Sequence, residues 1–281
     1  MLVHKIRPCV NTAVLDIVTP VLTLEDDEVA VSAAESIAGE FTRVTALYIS
    51  LLPDEIYPEG PGSGSWIDVS LASRAEREDQ LRHVETRMKR LHAKTRVCSL
   101  ELNLKERFKP VAAAARCADV AIMRRPAELT DPRKQVFETL LFHSGRPVIV
   151  VPERWQKGLR AERVVVAWNG SRESARAVAD ARPWLAAASS VHIVIVDQDS
   201  ARDAGEELRM HLGQCGVDAE LRRIEAQGRS HGKALFEEVD LSGADMIVMG
   251  GYGRSSAMEM VFGGATHHFV THADRPVLFS H

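Results

Sequence analysis

Two segments of this chain, HSGRPVIV from His143 and HADRPVLF from His272, share His, Arg, Pro and Val at the same spacing, 129 residues apart. A second pair, CADVAIM from Cys117 and GADMIVM from Gly243, is offset by 126, and a third, VTALYI from Val44 and VHIVIV from Val191, by 147. Three matches in one order predict a tandem repeat of a single unit, and 281 residues suffice for two ordinary domains. The fall in offset places about 21 extra residues in the first half, mostly in LLPDEIYPEGPGSGSW (51–66), read as an exposed loop. The small rise that follows gives the second half three extra residues after its fourth strand, where its glycines cluster. The boundary is expected in ERWQKGLRAE (153–162), with domains at 1–154 and 155–281.

Apolar runs alternate with amphipathic stretches, the pattern of parallel strands joined by helices. RVVVAW (163–168), SVHIVIVD, VDAELRRIEA, ADMIVMGG and RPVLFSH read as five strands of the second half. VTALYIS, TRVCSLEL, ADVAIM and RPVIVVP fill similar places in the first. SRESARAVADARPWLAAA (171–188) reads as one helix. A long helix over roughly 72–95 places Leu81, Val84, Met88 and Leu91 on one stripe, with its charges as a solvated face. The fold class expected is α/β: two five-stranded parallel sheets, each open and covered by helices on both faces.

Glycine is costly inside regular structure, so MGGYGRSSAMEMVFGGATHHFV (249–270), with glycines in two clusters, marks a place of close backbone approach. It contains no P-loop, and Gly251-Tyr-Gly253-Arg-Ser-Ser256 lacks the third glycine of a dinucleotide fingerprint. The spacing is Gly250-x2-Gly253-x9-Gly263, with Gly264 next and the helix ATHHFVTHA after it. Amides of both clusters and the helix N-terminus would suit a phosphate. A turn followed by a helix start accounts for the spacing equally well.

With these motifs the chain resembles a tandem universal stress protein over nearly its whole length. In that family the fourth strand is followed by G-x2-G-x9-G-(S/T), which binds the phosphates and ribose of ATP in the nucleotide-binding members. Gly250, Gly253 and Gly263 match those glycines, HADRPVLF matches the closing segment, and VAWNGSRES resembles the first-strand V-D-G-S-x-x-S. The resemblance implies Rossmann-like domains of the adenine nucleotide alpha-hydrolase type. It also implies a nucleotide site in the second domain only, formed by Trp168, Asn169, Val196 and Met249 with Gly250, Gly253, Gly263, Gly264 and Ala265.

Three positions depart from the family. Gly264 stands where a hydroxyl is usual, Asn169 replaces the Asp that helps hold the adenosine, and Trp168 is a bulky ring where small or β-branched residues are usual. Trp168 either stacks on adenine or fills its space. The first half departs further: MRRPAELTDPRKQ (123–135) has none of the glycines, so this domain is expected to be degenerate and to bind no nucleotide. Arg124 and Arg125 could hold another anion, but a solvated pair is the reading preferred.

GRSHG (228–232) matches the G-x-S-x-G of a hydrolase nucleophile elbow, and Asp240 or Asp245 with His267, His268 or His272 follow in hydrolase order. It sits after the third strand of a repeated unit, where a helix-opening loop is expected, and no HGGG-type segment accompanies it. His268 and His272 share a helix face without an evident third metal ligand, so no metal site is expected. Glu206-Glu207 and Glu237-Glu238 are adjacent and diverge on a helix, as surface charge does.

A formal net charge of −4 gives no reason to expect nucleic acid or an anionic membrane as partner. Cys9, Cys98, Cys117 and Cys215 form no CxxC pair and read as reduced thiols. Lys5 and Arg7 precede an apolar run like that of an export signal, but Asn11, Asp16 and Pro20 interrupt it. No run is long enough to span a bilayer. The reading is therefore a cytoplasmic universal stress protein that senses or stores ATP or a related adenine nucleotide, with no catalytic residues of its own. Its first half would act as an intramolecular pseudo-dimer partner, an unknown protein would be its target, and a homodimer is a further possibility. The alternative is an interaction module that has lost nucleotide binding; serine hydrolysis comes third.

Overall fold

A computed structural model describes residues 16–52, 64–103, 108–128, 130–159, 161–197, 202–252 and 265–281. The chain divides into two compact units, Leu15–Gly158 and Leu159–His281. The first runs β1 (Asp16–Val21), α1 (Leu24–Ile37), β2 (Arg43–Leu52), α2 (Gly64–Met88), β3 (Lys94–Asn103), α3 (Lys109–Ala115), β4 (Val120–Arg124), α4 (Pro132–His143) and β5 (Val148–Val151). The second runs β6 (Arg163–Ala167), α5 (Arg172–Asp180), α6 (Arg182–Ala187), β7 (Ser190–Val196), α7 (Arg202–Gln214), β8 (Ala219–Ile224), α8 (His231–Ser242), β9 (Met246–Gly250), α9 (Ala265–His272) and β10 (Val277–Ser280).

Within the first unit the strands lie in the order β3-β2-β1-β4-β5, and within the second β8-β7-β6-β9-β10, every pair parallel. Each order reverses once, beside its first strand, as in doubly wound sheets. Most strand residues are apolar, as expected of parallel strands covered on both faces; β4, β5 and β10 are buried along their whole length.

The repeat extends to individual hydrogen bonds. Asp119 ahead of β4 accepts from Asp16 N–H at 2.9 Å, and Asp245 ahead of β9 accepts from Arg163 N–H at 3.0 Å, so each clamps the start of its unit's first strand. Ala121 N–H donates to Pro147 C=O and Ile247 N–H to Pro276 C=O, both at 3.0 Å. The arginine of each Arg-Pro-Val caps carbonyls left open at a helix end. Arg146 donates to Arg116 C=O after α3, and Arg275 to the Val239 and Ala244 carbonyls around the end of α8.

Several sequence expectations need correction. β1 does not read as a strand, because Asp16, Thr19 and Pro20 interrupt it, yet it is central. Pro20 fits because alternate residues of a strand turn their backbone groups to opposite neighbours. Asp16 C=O bonds toward β4, so Pro20 faces the same way, and the pairing with β4 ends at Val18. The helix expected over 171–188 breaks at Ala181, because Pro183 lacks an N–H and its ring would clash one turn back; α6 starts afresh around it. The long helix covers 64–88 instead of 72–95, tightening into i→i+3 bonds at Arg90 and Leu91. Its stripe is in place at Val84, Met88 and Leu91, which are buried, while Leu81 is half-buried. Arg87 is no part of a solvated face: it spans to α1, binding Glu28 and Glu35 at 2.8 Å each. Of the loop read over 51–66, Leu51 and Leu52 belong to β2 and 64–66 to α2, and the remainder lies outside the described residues.

Candidate functional site

In the second unit the strand order reverses between β6 and β9, and in doubly wound sheets the C-terminal ends of the strands at such a reversal are where ligands bind. Trp168 and Asn169 follow β6, Val196 ends β7, and Met249 and Gly250 end β9, so these five residues share one end of three adjacent strands. Ala265 opens α9, and Tyr252 N–H donates to Thr266 Oγ1 at 3.1 Å, tying the exit of β9 to the start of that helix. Gly253, Gly263 and Gly264 lie outside the described residues.

Each residue's local reason can be read from its contacts. A Cβ on Gly250 would stand 2.6 Å from Ser174 N and 2.7 Å from Glu173 C, so this glycine lets the first turn of α5 rest directly on the end of β9. Trp168 N–H donates to Val194 C=O at 2.9 Å and prolongs the ladder one residue past β6. Its half-buried ring leaves Nε1 enclosed and without an acceptor among the described residues. Asn169 is exposed, and its Oδ1 accepts from Ser171 N–H at 3.1 Å, a local turn that leads through Gly170 (φ 70°) to the cap of α5. Ser171 Oγ then accepts from Ser174 N–H at 3.2 Å.

Sequence reading does not single out Glu173, Tyr252 or His281. Glu173, 3% exposed, sits in the first turn of α5 beside Gly250 and pairs with Arg172. Burial would raise its pKa, but Arg172, its own backbone N–H and the Ser171 hydroxyl hold the carboxyl below the ordinary range. Tyr252 adopts φ 52°, unusual for an aromatic residue, as the chain turns out of β9. His281 Nδ1 and Gly251 C=O are 2.9 Å apart. An acidic residue in a first helical turn was a legible signal for Glu173; the other two contacts are long-range and leave no local trace.

At the matching place in the first unit, Arg124 occupies the position of Gly250 and is buried, so the reading of a solvated arginine pair is corrected. Close by, Arg133 makes a two-pronged pair with Asp27, Nε to Oδ1 at 2.7 Å and Nη2 to Oδ2 at 2.9 Å. Asp27 Oδ2 also accepts from Leu22 N–H and Thr23 N–H. Burial would lower the Arg133 pKa, and the carboxylates, Asp27 first, raise it above its ordinary value. Asp131 caps α4, accepting from Arg133 N–H and Ala127 N–H at 2.9 Å each. Carboxylates of the chain itself thus satisfy the Arg133 guanidinium and the backbone N–H groups around it.

Ser230 of GRSHG is the N-cap of α8. Its hydroxyl accepts from Lys233 N–H at 3.3 Å, and its backbone (φ −67°, ψ 148°) is ordinary, unlike a strained nucleophile elbow. Gly232 lets α8 approach α9, since a Cβ there would stand 3.1 Å from Ala265 Cα. His268 and His272 stack with ring centroids 4.8 Å apart, and Phe236 meets His268 edge-on. No cluster of three metal-ligating side chains occurs among the described residues. Glu206, Glu238 and Glu237 pair with Arg209, Arg222 and Arg229.

Two histidines, His268 and His192, are expected to make stability depend on pH. Burial, then the charges of His272 and His267, lower the His268 pKa; burial, then Arg222, lower that of His192 on β7. The unfolded chain takes up protons near pH 6.5, before the folded one does, so stability is full above that value and falls as pH drops below it. Urea midpoints are expected to decline between pH 7 and about 5, and less in His268→Phe. A flat midpoint over this window would show that neither histidine is held neutral by the fold.

Residues 161–281 match the family model described as the universal stress protein family. A universal stress protein from Archaeoglobus fulgidus matches with 17% identity and a TM-score of 0.69, covering 94% of this chain and 95% of its own. A putative universal stress protein from Pseudomonas aeruginosa matches with 13% identity and a TM-score of 0.56, covering 95% and 93%. A universal stress protein in complex with cAMP aligns over 43% of this chain and 98% of its own, with 26% identity and a TM-score of 0.38. No match was found among curated proteins. At these identities the full-length likenesses establish the fold, and the family match covers the second unit.

Proposed function

We propose that residues 161–281, which match the universal stress protein family model, form a domain of that family that binds one adenine nucleotide, ATP first among them, and serves as a non-catalytic sensor in a stress response. The observation that carries the reading is the convergence of Trp168, Asn169, Val196, Met249 and Gly250 at the strand reversal, with α9 starting immediately after Gly264. The helix N-terminus favours phosphate there, and the Trp168 Nε1–H, without an acceptor among the described residues, is a donor for a ligand. Arg172 neutralises Glu173, so this carboxylate does not oppose an anion. The first unit, where Arg124 stands in place of Gly250 and Arg133 is held by Asp27, is the degenerate member of the pair. Among the described residues no helix is long and apolar enough to cross a membrane, in keeping with a proposed cytoplasmic location.

Mass spectrometry of ligand released from the purified protein tests this directly, with titration calorimetry against ATP. One site per chain is expected. Gly253→Val should abolish it, and Gly264→Ser, which restores a hydroxyl to the phosphate, should tighten it about ten-fold. Two equivalent sites, or binding unaffected by Gly253→Val, would refute the assignment to the second unit. A second reading, an interaction module without nucleotide, draws support from Gly250 and Asn169, whose packing and capping roles need no ligand. Absence of ligand and of ATP affinity in both the native chain and Gly264→Ser would establish it.

A further inference from the structure

We propose that the first unit holds a small oxyanion, phosphate or a simple carboxylate, on the guanidinium of Arg124 at the C-terminal end of β4. Arg124 is 6% exposed, yet its charge is poorly met. Its Nη2 lies 3.3 Å from Glu153 and its Nη1 3.9 Å from Asp26, both longer than the 2.7–2.9 Å of a charge-assisted hydrogen bond. Its Nε has no partner among the described residues. Arg133, a few residues on, shows what a well-made pair looks like in the same unit, two-pronged at 2.7 and 2.9 Å. A buried guanidinium left with unfilled donors is costly, and buried polar groups are nearly always hydrogen-bonded. No described residue supplies the acceptor, and an anion bound there would.

The place favours an anion over a neutral acceptor. Arg124 ends β4, beside the reversal of strand order between β1 and β4. Arg125 follows, half-buried, its pKa lowered by burial and then by the charge of Arg124, so two cations share this end of the strand. Of the carboxylates facing Arg124, Glu153 has a side chain 62% exposed and can swing away as an anion arrives, while Asp26, 3.9 Å off, is held by the Thr23 hydroxyl and Arg133. A guanidinium fork matches both carboxylate and phosphate. The site differs from the nucleotide site proposed above in unit, residues and ligand.

Calorimetric titration of the full chain with inorganic phosphate, and separately with acetate, tests the proposal. Binding of at least one of them is expected, and which one binds identifies the anion. Arg124→Gln should weaken it at least ten-fold, and Glu153→Gln, an exposed change that removes a competing carboxylate, should tighten it about three-fold. Gly253→Val should leave it unchanged, which separates this site from that of the second unit. No binding of either anion by the native chain and by Glu153→Gln would overturn the proposal. So would binding that Gly253→Val removes. If Arg124→Gln fails to fold, Arg124→Lys, which keeps the charge and loses the fork, should still weaken binding several-fold.

Discussion

Replacing Asp27 with alanine is expected to cost the chain about 3–5 kcal/mol of stability, the range for stranding one member of a buried ion pair. Asp27 is 1% exposed and its partner Arg133 is 8% exposed at the side chain, so neither can recover water without local unfolding. The variant would leave the Arg133 guanidinium facing Asp26 and Asp131 only at 3.4 Å each, and would free the Leu22 and Thr23 N–H groups at the turn out of β1. A double-mutant cycle separates these losses. Adding Arg133→Leu to Asp27→Ala should recover the part due to the orphaned charge, and leave about 1–3 kcal/mol for the unsatisfied backbone donors. Urea denaturation measures both. A cost below about 1 kcal/mol would show that the pair contributes no more than a surface one.

That pair also shows why the first unit was harder to read than the second. Its members are 106 residues apart, and nothing local to Asp27 or to Arg133 announces the other. Parallel strands buried on both faces were legible as continuous apolar runs, and the three offsets between halves located six of the strands with their partners. β1 escaped because Pro20 and Thr19 break its pattern, although the lapse of pairing with β4 makes room for the proline. Asp131-Pro132 carried a helix-start signal in plain view, a capping carboxylate followed by a proline at the first helical position. For the candidate site, the strand ends from which its residues emerge could be inferred from the repeat. The close contact at Gly250 could not, because it depends on how far α5 descends onto β9, a distance set by packing rather than by any motif.

Gly250→Ala is the second change expected to have a large effect, and it separates two reasons for a glycine at this position. If the residue is there to admit a phosphate, a methyl group should reduce binding and leave the fold intact. The geometry favours the other reason. The added Cβ would meet the Ser174 N and Glu173 C at 2.6 and 2.7 Å, and the Glu173 Cβ at 2.9 Å. Two of these atoms are backbone, so no rotamer change relieves the overlap, and α5 must lift from β9. That helix buries Glu173, Ser174, Ala177 and Val178, and its displacement is expected to cost about 3 kcal/mol. Gly205 in α7 supplies the contrast. A Cβ there would meet the tips of Ile195 at 2.5 Å and Leu221 at 3.2 Å, side-chain ends that can shift, while alanine improves helix propensity by about 0.5–1 kcal/mol. Gly205→Ala should therefore be close to neutral. Urea midpoints measured without nucleotide decide between the two reasons: a large drop for Gly250→Ala beside an unchanged Gly205→Ala makes Gly250 a packing residue. A Gly250→Ala chain as stable as the native one would return it to the ligand, as a place where backbone must approach phosphate.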